Sequence, residues 1–310
     1  KELCNPFNDN LKKKVDTIIQ KNDVKSPLKV SVDQSSAGLS YYGLSVDNVT
    51  VKPSPKWIQN RLLAVGINPK NNIVDISNYV MLELGIPNHL FDRSKISGSV
   101  VKIEQITNEQ DFITLDEENR KLIPGDTVVA DENGPLVIAG IMGGEKSGVS
   151  ENTTTLFIEV ANWKPAMVRK MSTRLGLRTD SSQRYEKSLD GQQCLKTLYR
   201  ILDLLMDSCP ELSVAGNIEY DGVRLEDIKK LEIKTSTNKI NSVLGTNLET
   251  KEIESILRSL DFSVEKNSDD LVVTVPSYRA TKDIEVESDI VEEVGRIIGY
   301  DNIEPCAPKC

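Results

Sequence analysis

The hydrophobic pattern changes its period repeatedly along this chain, and this limits the folds that the chain can adopt. Apolar residues alternate with polar ones from residue 28 to 51, and a long stretch of short strand patterns follows from 100 to 160. Apolar residues at helical spacing come between and after them, as in residues 192–207. Because no regular βαβ repeat results, the sequence predicts an α+β fold with a largely antiparallel or mixed sheet and flanking helices.

The pattern resets near Asp221-Gly222, so we expect a domain boundary there. Residues 27–222 would form the first domain. Residues 223–303 would form a second, small α+β domain whose elements could make a helix-turn-helix-like unit. We interpret the polar residues 1–26 as a short helix and linker left over from something larger, and residues 304–310 as a tail.

Several helix bounds can be predicted from caps and apolar spacing. Ser54-Pro55 should open a helix that places Ile58, Leu62 and Val65 on one face. The remaining helices are expected over residues 78–84, 163–171, 192–207, 237–244, 250–260 and 285–298, and strands of the second domain over 231–233 and 271–275.

The composition of the chain argues against several classes of function. The net charge of −9, from 38 Lys+Arg and 47 Asp+Glu, argues against a surface built throughout for nucleic acid. The five cysteines form no C-x-x-C pair, so we expect neither a disulfide framework nor a metal site. Neither a membrane-spanning run nor a secretory signal is evident, so we expect a cytoplasmic protein without a membrane partner.

His89 is the single histidine, and it follows Gly85 and Pro87, which indicate a chain reversal. A lone histidine is more often structural than catalytic, but a loop that presents it from a rigid scaffold raises the catalytic interpretation. We expect His89 in such a loop.

Two further features of the sequence could take part in binding or catalysis. Residues 139–145 follow an apolar strand, and their glycines allow backbone N–H groups to approach a ligand, although a tight turn is the simpler interpretation. Glu159 lies inside an apolar strand. Such a carboxylate more commonly faces solvent, and if it faces inward it needs a hydrogen-bond donor.

Residues 164–187 carry seven basic and two acidic residues, a net charge of +5 in an acidic chain. A solvated helix face is the simpler interpretation, yet guanidinium groups also match phosphate oxygens. The candidate contacts to RNA are Arg169, Lys170, Arg174, Arg178 and Arg184. The second domain, with a net charge of −6 over residues 224–301, is a poor electrostatic partner for nucleic acid.

Residues 71–92, 139–145 and 174–187, together with the motifs at 277–279 and 289–301, closely resemble the beta subunit of bacterial phenylalanyl-tRNA synthetase. The resemblance runs in order from about residue 28 to 303. It implies that residues 27–222 are the family's B3/B4 editing domain and residues 223–303 its B5 domain. The family's other domains have no counterpart here, so the chain resembles an excised fragment.

The resemblance implies hydrolysis of tyrosine wrongly esterified to phenylalanine tRNA, together with a contribution to tRNA binding. Partners would be this tRNA and the synthetase alpha subunit in an alpha2beta2 tetramer. The fragment would carry ester hydrolysis and not ligation. It would need no cofactor, whereas ATP and magnesium would serve the whole enzyme.

The chemistry of ester hydrolysis suggests roles for individual positions, most of which match the family. His89 and Asn78 would hold water and the terminal ribose, and the N–H groups of Gly143 and Gly144 would serve the oxyanion. Glu159 would accept a hydrogen bond from the tyrosine hydroxyl. The other positions matching the substrate pocket are Ser77, Thr179 and Ser181. The family more often has threonine at position 77 and alanine at position 181, so Ser181 adds a hydroxyl to the pocket wall.

Two other function classes remain open. The chain could be a non-catalytic structural and tRNA-docking module with a degenerate pocket. Alternatively, the second domain could bind DNA, although its negative charge speaks against this. A deacylation assay and a salt-dependent DNA titration would separate these from editing.

Overall fold

The computed structural model describes residues 16–17, 25–223, 228–267 and 269–304. The chain divides into two compact units, Lys1–Leu225 and Glu226–Cys310, and each is described by itself. The helix expected near the start of the chain and the tail after residue 304 lie almost entirely outside the described residues, although residues 16–17 are helical. In the described parts of the chain, no helix has the length and apolar character needed to cross a membrane.

The first unit combines strands and helices as the sequence predicts. Its strands are β1 (Lys29–Val32), β2 (Gly38–Asp47), β3 (Asn88–Asp92), β4 (Val100–Gln105), β5 (Gln110–Ile113), β6 (Asn119–Leu122), β7 (Thr127–Asp131), β8 (Gly134–Ile138), β9 (Met142–Gly143), β10 (Leu156–Trp163), β11 (Ser213–Val214) and β12 (Glu219–Gly222). Its helices are α1 (Lys56–Ala64), α2 (Asn72–Leu84), α3 (Pro165–Leu175), α4 (Asp180–Tyr185) and α5 (Gln193–Ser208).

Two five-stranded sheets and a separate hairpin organise this unit. One sheet has the order β1-β4-β7-β8-β9, in which β1 and β4 run parallel and the other pairs run antiparallel. The second sheet is antiparallel, with the order β11-β2-β10-β3, and β12 also pairs with β2. Strands β5 and β6 form the hairpin. The predicted α+β class with mixed and antiparallel sheets is therefore confirmed.

Strand β10 lies in the middle of the second sheet and is buried along its whole length. Its residues Leu156, Ile158 and Val160 face a core completed by α2 and α5, and Phe157, Ala161 and Trp163 face a second core completed by the first sheet. Since successive side chains of a strand point to opposite faces, Glu159 belongs to the second face.

Helix α1 differs from the sequence prediction at both ends. Pro55 occupies the cap position without a side-chain hydrogen bond, because the Ser54 hydroxyl donates to Asp75 instead. Ile58 and Leu62 are buried as expected, but Val65 is 58% exposed because the helix ends before it.

Helix α2 begins six residues earlier than predicted. The side chain of Asn71 accepts hydrogen bonds from the N–H groups of Ile73 and Val74, which caps the helix at its start. The helix ends as expected at Gly85, which adopts a left-handed conformation with φ of 77°.

The segment that follows Gly85 corrects a prediction. His89 lies not in a loop but in β3, whose antiparallel pairing with β10 extends over the whole strand. Helix α4 was not evident in the sequence, because six residues are too few for a helical apolar pattern.

The second unit contains β13 (Glu232–Ser236), α6 (Thr237–Leu244), α7 (Thr250–Ser259), β14 (Ser263–Asn267), β15 (Asp270–Thr274) and α8 (Glu287–Ile298). The strands form an antiparallel sheet in the order β13-β15-β14. Every helix and strand predicted for this domain is present, and β14 is an addition. The two sequence motifs of this unit meet, because the Arg279 guanidinium pairs with Glu293 at 3.0 Å.

Candidate active site

A cavity of about 210 Å³ opens where β3, β10, the turn before β9 and the start of α4 converge. It is lined by Pro87, Asn88, His89, Leu115, Val137, Gly140, Ile141, Met142, Gly143, Glu159, Trp163, Thr179, Ser181 and Tyr185. The structure thus brings together the histidine segment, the glycine turn, the acidic strand residue and the 179–181 segment. This volume is smaller than the ~300–1,000 Å³ typical of sites for drug-sized ligands, which suits a single amino-acid side chain.

Strand pairing brings Glu159 and His89 together. They are directly opposite each other in the β10–β3 ladder, so both side chains project from the same face of the sheet. The cavity covers this face. A carboxyl and an imidazole therefore border the same cavity.

Glu159 faces inward, and its donor is Tyr41. The carboxyl is 5% exposed, and its Oε2 accepts a hydrogen bond of 2.8 Å from the Tyr41 hydroxyl. Burial raises the pKa of Glu159 to about 7, although the Tyr41 hydrogen bond acts in the opposite direction. Burial and the neighbouring carboxyl raise the pKa of Tyr41 well above its ordinary value, so the phenol keeps its proton and donates.

His89 is held neutral by its surroundings. Burial lowers the pKa of its imidazole to about 4. Its Nε2 atom is inaccessible and has no hydrogen-bond partner, while its ring packs edge-on against Phe91 with centroids 4.5 Å apart. Such an unpaired buried nitrogen is unfavourable, and a shift of the ring that exposed Nε2 to the cavity would let water or a ligand supply the missing bond.

The two glycines of the turn differ in what their backbones can offer. The Gly144 N–H donates to the Leu136 carbonyl at 2.8 Å. Contrary to the prediction, it is therefore not free to stabilise an oxyanion. Residues of an antiparallel ladder alternate between bonded and non-bonded pairs, so Gly143, opposite Val137, does not use its N–H to pair with β8. Of the two predicted donors, Gly143 alone remains a candidate.

Gly143 is also required for the position of His89. A Cβ atom at Gly143 would lie 2.7 Å from the imidazole Cε1 and 3.1 Å from Nε2. The ring therefore rests directly on the glycine backbone, and no other residue would allow this approach.

Thr179 and Ser181 both line the cavity, but only one of them has a structural task. The Thr179 hydroxyl caps α4 by accepting from the Ser182 N–H, and it donates to the Ile141 carbonyl at 2.7 Å. It thereby ties α4 to the glycine turn. Ser181 is half-buried on the cavity wall.

The predicted pair Ser77 and Asn78 lies outside the cavity lining. The amide that lines the cavity is Asn88, which the sequence reasoning missed. Ser77 acts through it, because the Ser77 hydroxyl donates to the Asn88 Oδ1 at 2.8 Å and the Asn88 amide donates to the Ser77 carbonyl. Asn88, rather than Asn78, therefore lines the cavity.

Aromatic side chains shape the rest of the cavity. The Tyr185 hydroxyl lies 2.8 Å from the Pro87 carbonyl and 2.9 Å from the Ala161 carbonyl, so its one proton is shared between the start of β3 and β10. Trp163 packs edge-on against both Tyr185 and Tyr41, with centroid separations of 6.4 Å. Sequence reasoning missed all three aromatic residues.

Most of the predicted RNA-contacting arginines have carboxylate partners. Arg174 pairs with Asp126, Arg178 with Glu186 at 2.9 Å, and Arg184 with Asp180 at 3.0 Å. Arg169 and Lys170 are exposed on α3. Of the five residues, these two are best placed to meet a phosphate without first breaking an ion pair.

Comparisons with known proteins find two domain families and several relatives for this chain. Residues 38–210 match the B3/4 domain, and residues 233–300 match the tRNA synthetase B5 domain. The chain is 38% identical to the phenylalanine–tRNA ligase beta subunit of Solibacter usitatus over 282 residues, covering 91% of this chain and 36% of that protein. It is 40% identical to the Porphyromonas gingivalis beta subunit over 285 residues, covering 91% of this chain and 34% of that protein.

A solved N-terminal fragment of the phenylalanyl-tRNA synthetase beta subunit from Pyrococcus horikoshii has a TM-score of 0.45 and 17% identity, covering 88% of this chain and 75% of that chain. The chain spans about a third of the length of the curated relatives.

The fold and the matched segments define a B3/4 domain followed by a tRNA synthetase B5 domain. The chain belongs to the family of phenylalanyl-tRNA synthetase beta subunits, as the resemblance in the sequence predicts.

Proposed function

We propose that the first unit hydrolyses tyrosine esterified to phenylalanine tRNA, as an editing site of the synthetase. The observation that carries this proposal is the buried carboxyl of Glu159, directly opposite His89 in a cavity of amino-acid size. Tyrosine and phenylalanine differ by one hydroxyl, and a site that must hydrogen-bond this hydroxyl rejects the analogue that lacks it. The tyrosine hydroxyl pairs with the carboxyl oxygen that Tyr41 leaves free, whereas phenylalanine leaves this oxygen unpaired.

The state of Glu159 supports this role. Tyr41 occupies Oε2, so a phenol entering the cavity has the remaining oxygen as its acceptor. Since the pKa of Glu159 is about 7, the stronger, ionised acceptor forms as the pH rises through neutrality. Selectivity for the tyrosyl ester should therefore increase over this range.

His89 would orient the attacking water rather than remove its proton. A general base works best with a pKa near the working pH, and an imidazole with a pKa of about 4 is a weak base. A shift of the ring that exposed the unpartnered Nε2 to the cavity would let this nitrogen hydrogen-bond the water. The Gly143 N–H would stabilise the oxyanion, and Asn88 would replace Asn78 in holding the ribose.

A second candidate role for Glu159 follows from the same pKa. A carboxyl that ionises near pH 7 could act as the general base for the attacking water. In that case its removal would slow hydrolysis of both esters equally, whereas loss of a specificity residue would change their ratio.

The test is the deacylation of tyrosyl and phenylalanyl esters of the tRNA by the chain and by Glu159→Ala. A hydrogen bond to a charged acceptor is worth about 1.5–3 kcal/mol, so the ratio of the two rates should fall about ten- to a hundredfold. Hydrolysis itself should survive better than selectivity. An unchanged ratio with slower hydrolysis of both esters would favour the general base, and no hydrolysis by the unaltered chain would favour a docking module.

The wider assignments rest on the family alone. We propose that tRNA and the synthetase alpha subunit are the partners, and that ATP and magnesium serve ligation in the whole enzyme. Arg169 and Lys170 are the residues of the basic segment that we expect to contact the tRNA backbone.

A further inference from the structure

Helix α1 and the segments around it form an exposed basic surface in an acidic protein. Residues 48–74 contain Lys52, Lys56, Arg61 and Lys70 and no aspartate or glutamate. All four cationic side chains are exposed. This surface has no part in the proposed ester hydrolysis, and the cavity lining includes none of its residues.

An aromatic cluster organises the centre of this surface. Trp57 is 43% exposed and packs edge-on against Tyr79 of α2, with ring centroids 5.1 Å apart. The Arg61 guanidinium carbon lies 5.2 Å from the Trp57 ring centroid and 5.7 Å from that of Tyr79. Its Nη1 also donates to the Tyr79 hydroxyl at 2.7 Å.

These contacts fix the guanidinium without neutralising it. Within the described residues, no carboxylate forms an ion pair with Arg61, and the nearby Glu83 is already paired with Arg200 at 2.8 Å. Asp75 is buried, where it bonds to Ser54 and to the Lys70 N–H. An arginine oriented by aromatic rings retains donors that match the oxygens of a phosphate.

We infer that Trp57 and Arg61 form a binding site for single-stranded RNA, with a base stacked on the indole and a phosphate on the guanidinium. Proteins that bind unpaired strands combine a basic track with exposed aromatic rings. Lys52, Lys56 and Lys70 supply that track, and residues 48–74 add no acidic side chain, so this segment has the charge complementary to RNA. The Glu83 carboxylate, which accepts a hydrogen bond from the Tyr79 hydroxyl, is balanced by Arg200. A face that docks another protein would not require this one-sided charge.

The test uses the two tryptophans as separate reporters. Titration of the chain with a single-stranded oligoadenylate should quench the emission of the exposed Trp57, since buried Trp163 is 1% exposed and cannot stack. Trp57→Phe should keep binding, measured by anisotropy of the labelled RNA, but lose the quenching. Trp57→Ala should weaken binding about five- to a hundredfold.

Three further variants separate phosphate contact from nonspecific hydrophobic binding. Arg61→Ala should reduce the slope of log K against log salt by about 0.7, whereas Arg61→Lys should keep the slope. Leu63 is an apolar residue of the same helix that is 53% exposed, compared with 43% for Trp57. Leu63→Ala should leave binding unchanged.

The inference is overturned if the RNA does not bind at low salt, if quenching persists in Trp57→Phe, or if Leu63→Ala weakens binding as much as Trp57→Ala. It is equally overturned if anionic phospholipid vesicles bind and the RNA does not. None of these results bears on ester hydrolysis, which is measured separately.

Discussion

Replacing Glu159 by Gln should stabilise the first unit above neutral pH, although the residue belongs to the proposed pocket. The pKa of Glu159 rises from 4.5 to about 7 on folding because the carboxyl is buried. Between these values the folded chain holds a proton that the unfolded chain has released, so stability falls as the pH rises. A difference of about 2.5 units corresponds to roughly 3 kcal/mol.

The side-chain amide of Gln does not titrate, and its oxygen can still accept the hydrogen bond from Tyr41. The free energy of unfolding of Glu159→Gln minus that of the unaltered chain should therefore increase by about 3 kcal/mol between pH 4.5 and 8. Urea unfolding followed by tryptophan fluorescence measures this difference. Both tryptophans, Trp57 and Trp163, belong to the first unit, so the signal does not report the second unit.

Asp92→Asn is a control with the opposite sign. Burial raises the pKa of Asp92, but hydrogen bonds from Ser94 and Thr153 outweigh it and hold this pKa below the ordinary value. Its contribution to stability is present above the unfolded pKa and lost as the pH falls, so Asp92→Asn should lose most at neutral pH. His89, whose pKa is lowered by burial, is present in the unaltered chain and in both variants. Its contribution to the pH dependence of the free energy of unfolding therefore cancels when they are compared. If the free energy of unfolding of Glu159→Gln differed from that of the unaltered chain by the same amount at every pH, the raised pKa of Glu159 in the folded chain would be refuted.

Four other variants test other parts of the first unit. Tyr41→Phe removes the hydrogen bond that lowers the pKa of Glu159, so the pH at which selectivity for the tyrosyl ester appears should rise by about one unit in a pH profile of the two deacylation rates. Gly143→Ala should displace the His89 ring and slow hydrolysis of both esters by up to about a hundredfold without changing their ratio, which single-turnover assays would show. Arg169→Ala should reduce the salt dependence of tRNA binding by about one ion, whereas Arg174→Ala should instead lower stability by roughly 1–3 kcal/mol because Asp126 loses its partner.

Local signals in the sequence predict much of the fold. The left-handed Gly85 ends α2 where the sequence places it, and α6 spans Thr237–Leu244 as predicted. These features depend on residues close together in the chain. The start of α2 could not be predicted, because two asparagines, Asn71 and Asn72, are equally plausible caps and Val74 stands at the capping-box position where an acidic residue would be expected.

Features set by distant residues could not be predicted in the same way. Strand β10 is buried on both faces, so its sequence has no alternation from which the direction of Glu159 could be derived. The donor of Glu159, Tyr41, is 118 positions away in the chain. The presence of Asn88 in the cavity lining could not be predicted for a related reason: its position in β3 follows from pairing with β10, and β3 is too short to show a strand pattern.

The same pairing links the stability of the first unit to the proposed selectivity. The two-sided burial of β10 places an ionisable group where ionisation is unfavourable, and Tyr41 offsets only part of that effect. In the proposed function, the tyrosine phenol supplies the second donor that the ionised carboxyl lacks, whereas phenylalanine leaves the unfavourable state in place. A pocket in which Glu159 were fully solvated or already paired with a cation would lose this difference, since its acceptor would be satisfied before the substrate arrived. The burial that destabilises the empty site is therefore the physical source of the discrimination that we propose.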